Sequence, residues 1–243
     1  MQQNRVIGAL SVLCLSGLVV TDTMAETAPG DGSWKGSVEL GIVNTTGNTK
    51  TKTTSAKAKA ETEREKWRHT LGFDSLTSSD HGTTTAERYA ITGQSNYKFG
   101  PQNYLFALLA YENDRFSGYD YRVTEALGYG RRIIDNPDLK LDLEIGPGAR
   151  QSKLEHGGSE DELMVRGAAN LAWDISGTSK FTENFSTEVG EDVTITKSVT
   201  ALSAQINGSL ATKITYTIKN TSDVPVGIKK TDTETAVTLV YNF

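Results

Sequence analysis

The chain has little cysteine: one residue, Cys14, in 243. Cys14 sits in a weakly polar to apolar run from Val6 to Val20, with Arg5 before it and Thr23-Met24-Ala25 after it. A basic start, a short hydrophobic centre and small residues for a peptidase make a secretory signal, so residues 1–25 are expected to be cleaved after Ala25. The mature chain then carries no thiol, which excludes a disulfide framework, a cysteine nucleophile and a Cys-ligated metal. Leu13 occupies the position where a lipoprotein peptidase requires a small residue, which argues against a lipid anchor on Cys14.

Long hydrophobic runs are lacking as well. After residue 25 no stretch approaches the roughly 20 apolar residues of a spanning helix, and the mean hydropathy is -0.39. Nor is there an excess of basic charge: 25 Lys and Arg stand against 30 Asp and Glu, interspersed, so a nucleic-acid footprint is not supported. Histidine is limited to three residues. His81 lies beside Ser78, Ser79 and Asp80, and His156 beside Ser152 and Glu155, but catalytic partners must meet in space rather than in sequence. Neither Asp80-His81 nor Glu155-His156 has a diagnostic metal-ligand spacing, and both read as solvated loops, with His69 an interface ring. Catalytic residues, metal and cofactor are accordingly expected to be none, and the chain is not expected to be an enzyme.

What the sequence does contain is alternation. Val237, Leu239, Tyr241 and Phe243 share one face of the final segment, because strand side chains repeat every two residues. Leu139, Leu141, Leu143 and Ile145 oppose Lys140, Asp142 and Glu144; Leu163, Val165, Leu171, Trp173 and Ile175 oppose Glu162, Arg166, Asn170 and Asp174. Trp34, Gly36, Val38, Leu40 and Ile42 oppose Lys35, Ser37, Glu39 and Gly41. In a membrane barrel only every second residue faces lipid, so a low mean hydropathy is what such a fold produces.

Turns divide the chain regularly. Thr45-Thr46-Gly47-Asn48, the pair Glu65-Lys66, Gly100-Pro101-Gln102-Asn103, Asp135-Asn136-Pro137-Asp138 and Ser176-Gly177-Thr178 are breakers, and Ser78–Thr85, His156–Asp161 and Ser222–Thr231 are polar loops. At about 15 to 20 residues per strand and turn, twelve strands fit. Residues 34–243 are expected to form one all-β domain, a transmembrane antiparallel up-and-down β-barrel with both termini periplasmic, after a short periplasmic segment at 26–33. The tenth and eleventh strands are read at Lys197–Leu210 and Lys213–Thr221.

Some segments leave alternatives open. Thr49–Arg64 is rich in Ala, Lys and Glu and also suits a surface helix. Between Leu105 and Ala110 both faces are apolar, so alternation does not select the outward one. Glu125 and Glu183 fall on otherwise lipid-facing sets, which implies either a bulge that shifts the register or a place near a membrane boundary. A soluble two-sheet barrel would show similar lapses.

Three short motifs carry a family resemblance: Thr46-Gly47-Asn48-Thr49 after Gly41-Ile42-Val43-Asn44, Leu127-Gly128-Tyr129-Gly130, and Gly146-Pro147-Gly148-Ala149-Arg150. With them the chain, over about residues 34 to 243, resembles the salt-induced outer-membrane protein family, a domain of unknown function numbered 481. The resemblance implies a Gram-negative outer-membrane barrel and supplies no activity, catalytic residue or ligand.

The polar faces hold charges of both signs. Lys57, Lys59, Glu61, Glu63, Arg68, Asp74, Arg88, Asp142, Glu144, Arg150, Arg166, Asp174, Glu188 and Lys219 are the candidate lumen-lining residues. A lumen of about twelve strands lies between a side-chain-filled barrel and a wide porin. Two functions are therefore open: a narrow pore for ions or small solutes, or a structural, stress-associated envelope barrel with a plugged lumen. The expected partners are outer-membrane lipid and, for the C-terminal signal Val237, Leu239, Tyr241 and Phe243, the barrel assembly machinery during insertion.

Overall fold

The computed structural model describes residues 31–46, 51–80, 83–115, 117–155 and 157–243. The expected signal segment 1–25, residues 26–30, residues 47–50 with the Gly47-Asn48 half of the expected turn, His81 and His156 lie outside the described residues.

Twelve strands follow one another along the chain: β1 (Asp31–Thr46), β2 (Thr51–Arg64), β3 (Trp67–Asp80), β4 (Thr83–Lys98), β5 (Asn103–Asp114), β6 (Tyr119–Asp135), β7 (Leu139–Leu154), β8 (Ser159–Ser176), β9 (Ser179–Gly190), β10 (Thr194–Gln205), β11 (Leu210–Thr221) and β12 (Thr231–Asn242). Each pairs antiparallel with its neighbours in sequence, and β1 pairs with β12, so the sheet closes into a barrel. Closure leaves no edge strand and pairs each strand on both sides, which is the condition for crossing a hydrocarbon layer with strands. Asp31 and Phe243 lie at one end of the barrel with the short connections, called here the turn end; the longer segment 222–230 lies at the opposite, loop end.

The seam rests on the terminal aromatic. Gly36 and Phe243 exchange two backbone hydrogen bonds, at 2.8 and 2.9 Å, one step beyond the Ser37–Asn242 pairing. The Phe243 ring lies over Gly36, where a Cβ would fall 2.5 Å from it, so the close approach at the seam requires glycine.

The outer face is aliphatic with aromatic ends. Leu40, Leu71, Ile91, Leu109, Leu127, Ile145, Leu163, Ile214 and Val237 are exposed on it. At the turn end Trp67 packs on Tyr97 at 5.1 Å and stacks on His69 at 5.6 Å, and Tyr241 stacks on Phe243; at the loop end Tyr111 stacks on Tyr121. Two aromatic belts around an aliphatic band match a bilayer with two interfaces.

Of the two readings open for Thr49–Arg64, the strand is the one found: Lys57 is paired between Glu39 of β1 and Asp74 of β3, and pairing on both sides overrides a local helix preference. Several boundaries differ from the sequence expectation. Most of the predicted loop Ser78–Thr85 belongs to β3 and β4, which stay paired past a register shift between Ser78 and Ser79. The turn between β10 and β11 is 206–209 rather than 211–212, fixed by Asn207 Oδ1 accepting from the backbone N–H of Ser209 and Leu210. β1 runs from Asp31, ahead of the expected Trp34.

Glu125 and Glu183 are on the outer face with no register shift beside them: Glu125 pairs with Leu109 and Ala149, and Glu183 with Leu171 and Thr200. Glu183 accepts hydrogen bonds from Ser198 Oγ at 2.6 Å and Thr200 Oγ1 at 2.5 Å, which satisfy its carboxylate within the sheet.

Candidate functional site: the barrel lumen

β5 is the strand that alternation left unoriented. Leu105, Leu109 and Tyr111 face outward, whereas Tyr104 and Phe106 are buried inside with Ala126 of β6 and Met164 of β8, and Leu108 packs against them. Room for this apolar cluster comes from the adjacent strand β6, since a Cβ at Gly130 would overlap the Tyr104 ring and one at Gly128 the Phe106 ring, each glycine being the register partner of the ring it admits. The glycine motif of β6 thus makes a recess that large side chains fill, narrowing the lumen from one side.

Charges occupy the rest. Lys57, Lys59, Arg68, Asp74, Arg88, Asp142 and Glu144 line a cavity of about 550 Å³, with Glu39, Glu61, Glu112 and Lys197 among their neighbours. Asp142 holds Arg132 Nε at 2.7 Å and Arg68 at 3.3 Å. Glu144 accepts from Gln94 at 2.8 Å, Tyr104 Oη at 3.0 Å and Arg166 at 3.1 Å. Arg150 is 1% exposed and is held by Glu162, by Glu188 at 3.2 Å and by the Val193 carbonyl, tying β7, β8 and β9 together at the loop end. Asp174 is half exposed near the end of β8 and pairs with Lys180 at 3.2 Å.

Near the loop end the pairs cross the lumen. Arg88 of β4 reaches both Asp74 and Glu234 of β12 at 3.0 Å, and Lys57 binds Asp74 at 3.0 Å. Glu112 of β5 meets Lys219 of β11 at 2.5 Å. β5 and β11 are six strand places apart either way round, so this pair bridges opposite walls. Leu76, Ala86 and Ala236 join β3, β4 and β12 at the same end. Above the bridge, segment 222–230 folds across the mouth until Pro225 and Ile228 pack against Gly118, in the β5–β6 connection on the far side. The loop end is closed by a strap and, beneath it, by charge pairs.

Glu112, Lys197 and Glu234 were not among the candidate lumen residues read from sequence, and Pro225 was read only as a breaker in the Ser222–Thr231 loop. Glu112 escaped because its strand is apolar on both faces, and Pro225 because a loop's reach across a barrel has no local signature. His69 faces outward, stacked on Trp67 with Nδ1 2.9 Å from Ser95 Oγ. Among the described residues there is no group of three or more side chains able to hold a metal ion.

Residues 38–243 match a family described as "Protein of unknown function, DUF481". The "Uncharacterized protein YdiY" of Escherichia coli (strain K12) is 28% identical over 224 residues, spanning 92% of this chain and 88% of that protein. Among solved structures, the NanC porin superposes with a TM-score of 0.58 at 10% identity, over 84% of this chain and 98% of NanC. The translocator domain of the autotransporter NalP from Neisseria meningitidis superposes with a TM-score of 0.53 at 12% identity, over 88% of this chain and 89% of that domain. These likenesses are of fold: the closed antiparallel barrel of outer-membrane porins and translocators.

Proposed function

This chain belongs to the DUF481 family of proteins of unknown function, and we propose that it is a Gram-negative outer-membrane barrel acting as a narrow pore for ions or small solutes. The observation that carries this reading is the cavity of about 550 Å³ lined by paired charges beneath a mouth held shut by Glu112–Lys219 and the 222–230 strap. A polar, wide cavity is not needed for stability, since a lumen filled by side chains is the simpler way to make a small barrel rigid. The contacts that close the mouth are exchangeable: an ion pair in a water-accessible lumen and a loop packed through Pro225 and Ile228. Ions are the cargo that fits, because a lumen bridged across its width at one level passes nothing large.

In this reading the chain is exported by its cleavable leader. It is inserted by assembly machinery that reads Val237, Leu239, Tyr241 and Phe243. With short connections and both chain ends inward, the turn end is periplasmic and the strap external.

Single-channel recording in a planar bilayer tests the pore. The folded barrel should give small, infrequent openings, and replacing residues 224–229 with a short Gly-Ser turn should raise the open time severalfold. The second reading, a plugged structural barrel, is favoured by the Tyr104, Phe106 and Met164 cluster inside the lumen. Silence from both proteins, in samples that show the heat-dependent gel shift of a folded barrel, would establish it.

A further inference from the structure

Each cation lining the large cavity has a partner, with one exception. Lys57 binds Asp74, Lys59 binds Glu61 at 3.0 Å, Arg68 binds Asp142, and Arg88 binds Asp74 and Glu234. Lys197 of β10 lines both this cavity and the smaller chamber under the strap, and its side chain is open to the lumen. Among the described residues its ammonium has no hydrogen bond or ion pair. Its register partners are Ser186 on β9 and Lys219 on β11. Two lysines directly opposite in a sheet repel one another. Glu112 is taken up by Lys219, and Lys197 has no carboxylate of its own.

Its charged neighbours include Arg88, Lys219, Glu112 and Asp74, and the wider cluster adds Lys57 and Glu234. Within this cluster Lys57, Arg88 and Lys219 pair with Asp74, Glu234 and Glu112, and Lys197 is the cation left over. Glu87, which pairs with Arg115, and Asp114 and Asp232 line the small chamber on the strap side.

We propose that Lys197 is an anion-binding site in the lumen beside the Glu112–Lys219 bridge, taking a small monovalent anion or the carboxylate of a small solute. An ammonium offers three donors and no acceptor, so a free one beside a water-accessible cavity recruits an anion rather than a neutral ligand. The site rests on the pore reading for its consequence, anion preference, but not for its existence. Anions reach it from the large cavity, because Asp114 and Asp232 guard the other side.

Crystals of the mature barrel soaked in bromide test the site, and currents test its consequence. Anomalous density is expected within hydrogen-bond distance of Lys197 Nζ and should be lost in Lys197→Met; its absence from the wild type overturns the site. In a salt gradient across a bilayer, the wild-type reversal potential should have the sign of anion preference, move towards zero in Lys197→Met and change sign in Lys197→Glu. Bromide at Nζ with no conductance upholds the site and removes the pore. Conductance with a reversal potential unmoved by either variant, and no bromide at Nζ, removes the site and leaves the pore.

Discussion

Towards the loop end, Glu112 and Lys219 meet at 2.5 Å across the full width of the lumen, whereas towards the turn end Asp142 of β7 holds Arg132 of the adjacent β6 and reaches Arg68 of β3, four strand places round, and the space beside them stays open. The same chemistry, paired charge on inward strand faces, closes the barrel in one half and lines it in the other. The difference lies in which strands the partners occupy. Arg132 and Asp142 are on adjacent strands and pair along the wall, while β5 and β11 stand opposite. Pairs along a wall stiffen it, and a pair across the lumen is a bolt that can be drawn.

Arg150 gives the largest expected effect. Arg150→Met strands Glu162 and Glu188 in the loop-end wall and should cost about 3 kcal/mol or more of stability, read as a shift in urea unfolding of the barrel in lipid. A loss below about 1 kcal/mol would make the loop end as loosely held as a solvated surface. Next, Gly130→Val presses on Tyr104 in the turn-end recess and should cost roughly 1 to 3 kcal/mol, whereas Gly130→Ala should cost less in the same assay. Lys219→Met removes the bolt while leaving the Asp142 cluster intact, so conductance should rise with only a small change in unfolding. An unchanged conductance would place the barrier in the strap or in the Tyr104 cluster instead.

The smallest effect concerns the outer face. Glu125→Leu should stabilise the barrel by up to about 1 kcal/mol, since a carboxylate facing lipid is costly. Glu183→Leu should gain nothing, because it also strands Ser198 and Thr200. Equal gains at both positions would mean that the two hydroxyls contribute nothing to Glu183.

Much of the architecture was legible along the chain. The faces of β7 and β8, the turn at 136–138 and the closing strand to Phe243 follow from alternation and turn chemistry, both of which act over a few residues. The misplaced boundaries have a shared cause. Ser78–Thr85 and 206–209 are polar stretches in which propensity does not separate an extended strand from a loop, and long-range pairing or a single Asn side chain decides. The glycine motifs of β6 could be seen in sequence, but not the reason for them, since the Tyr104 and Phe106 rings come from another strand.

The sequence by itself determined that the chain alternates, that it turns about eleven times and that its inward faces carry charge of both signs. These are local properties, set by the two-residue period of a strand and by the conformational freedom of turn residues. Tertiary structure alone decided that Glu112 finds Lys219, 107 residues away, that Pro225 crosses the mouth to Gly118, and that Lys197 has no ion-pair partner among the described residues. Those meetings depend on barrel closure, strand register and lumen width, which bring together residues whose separation along the chain carries no signal.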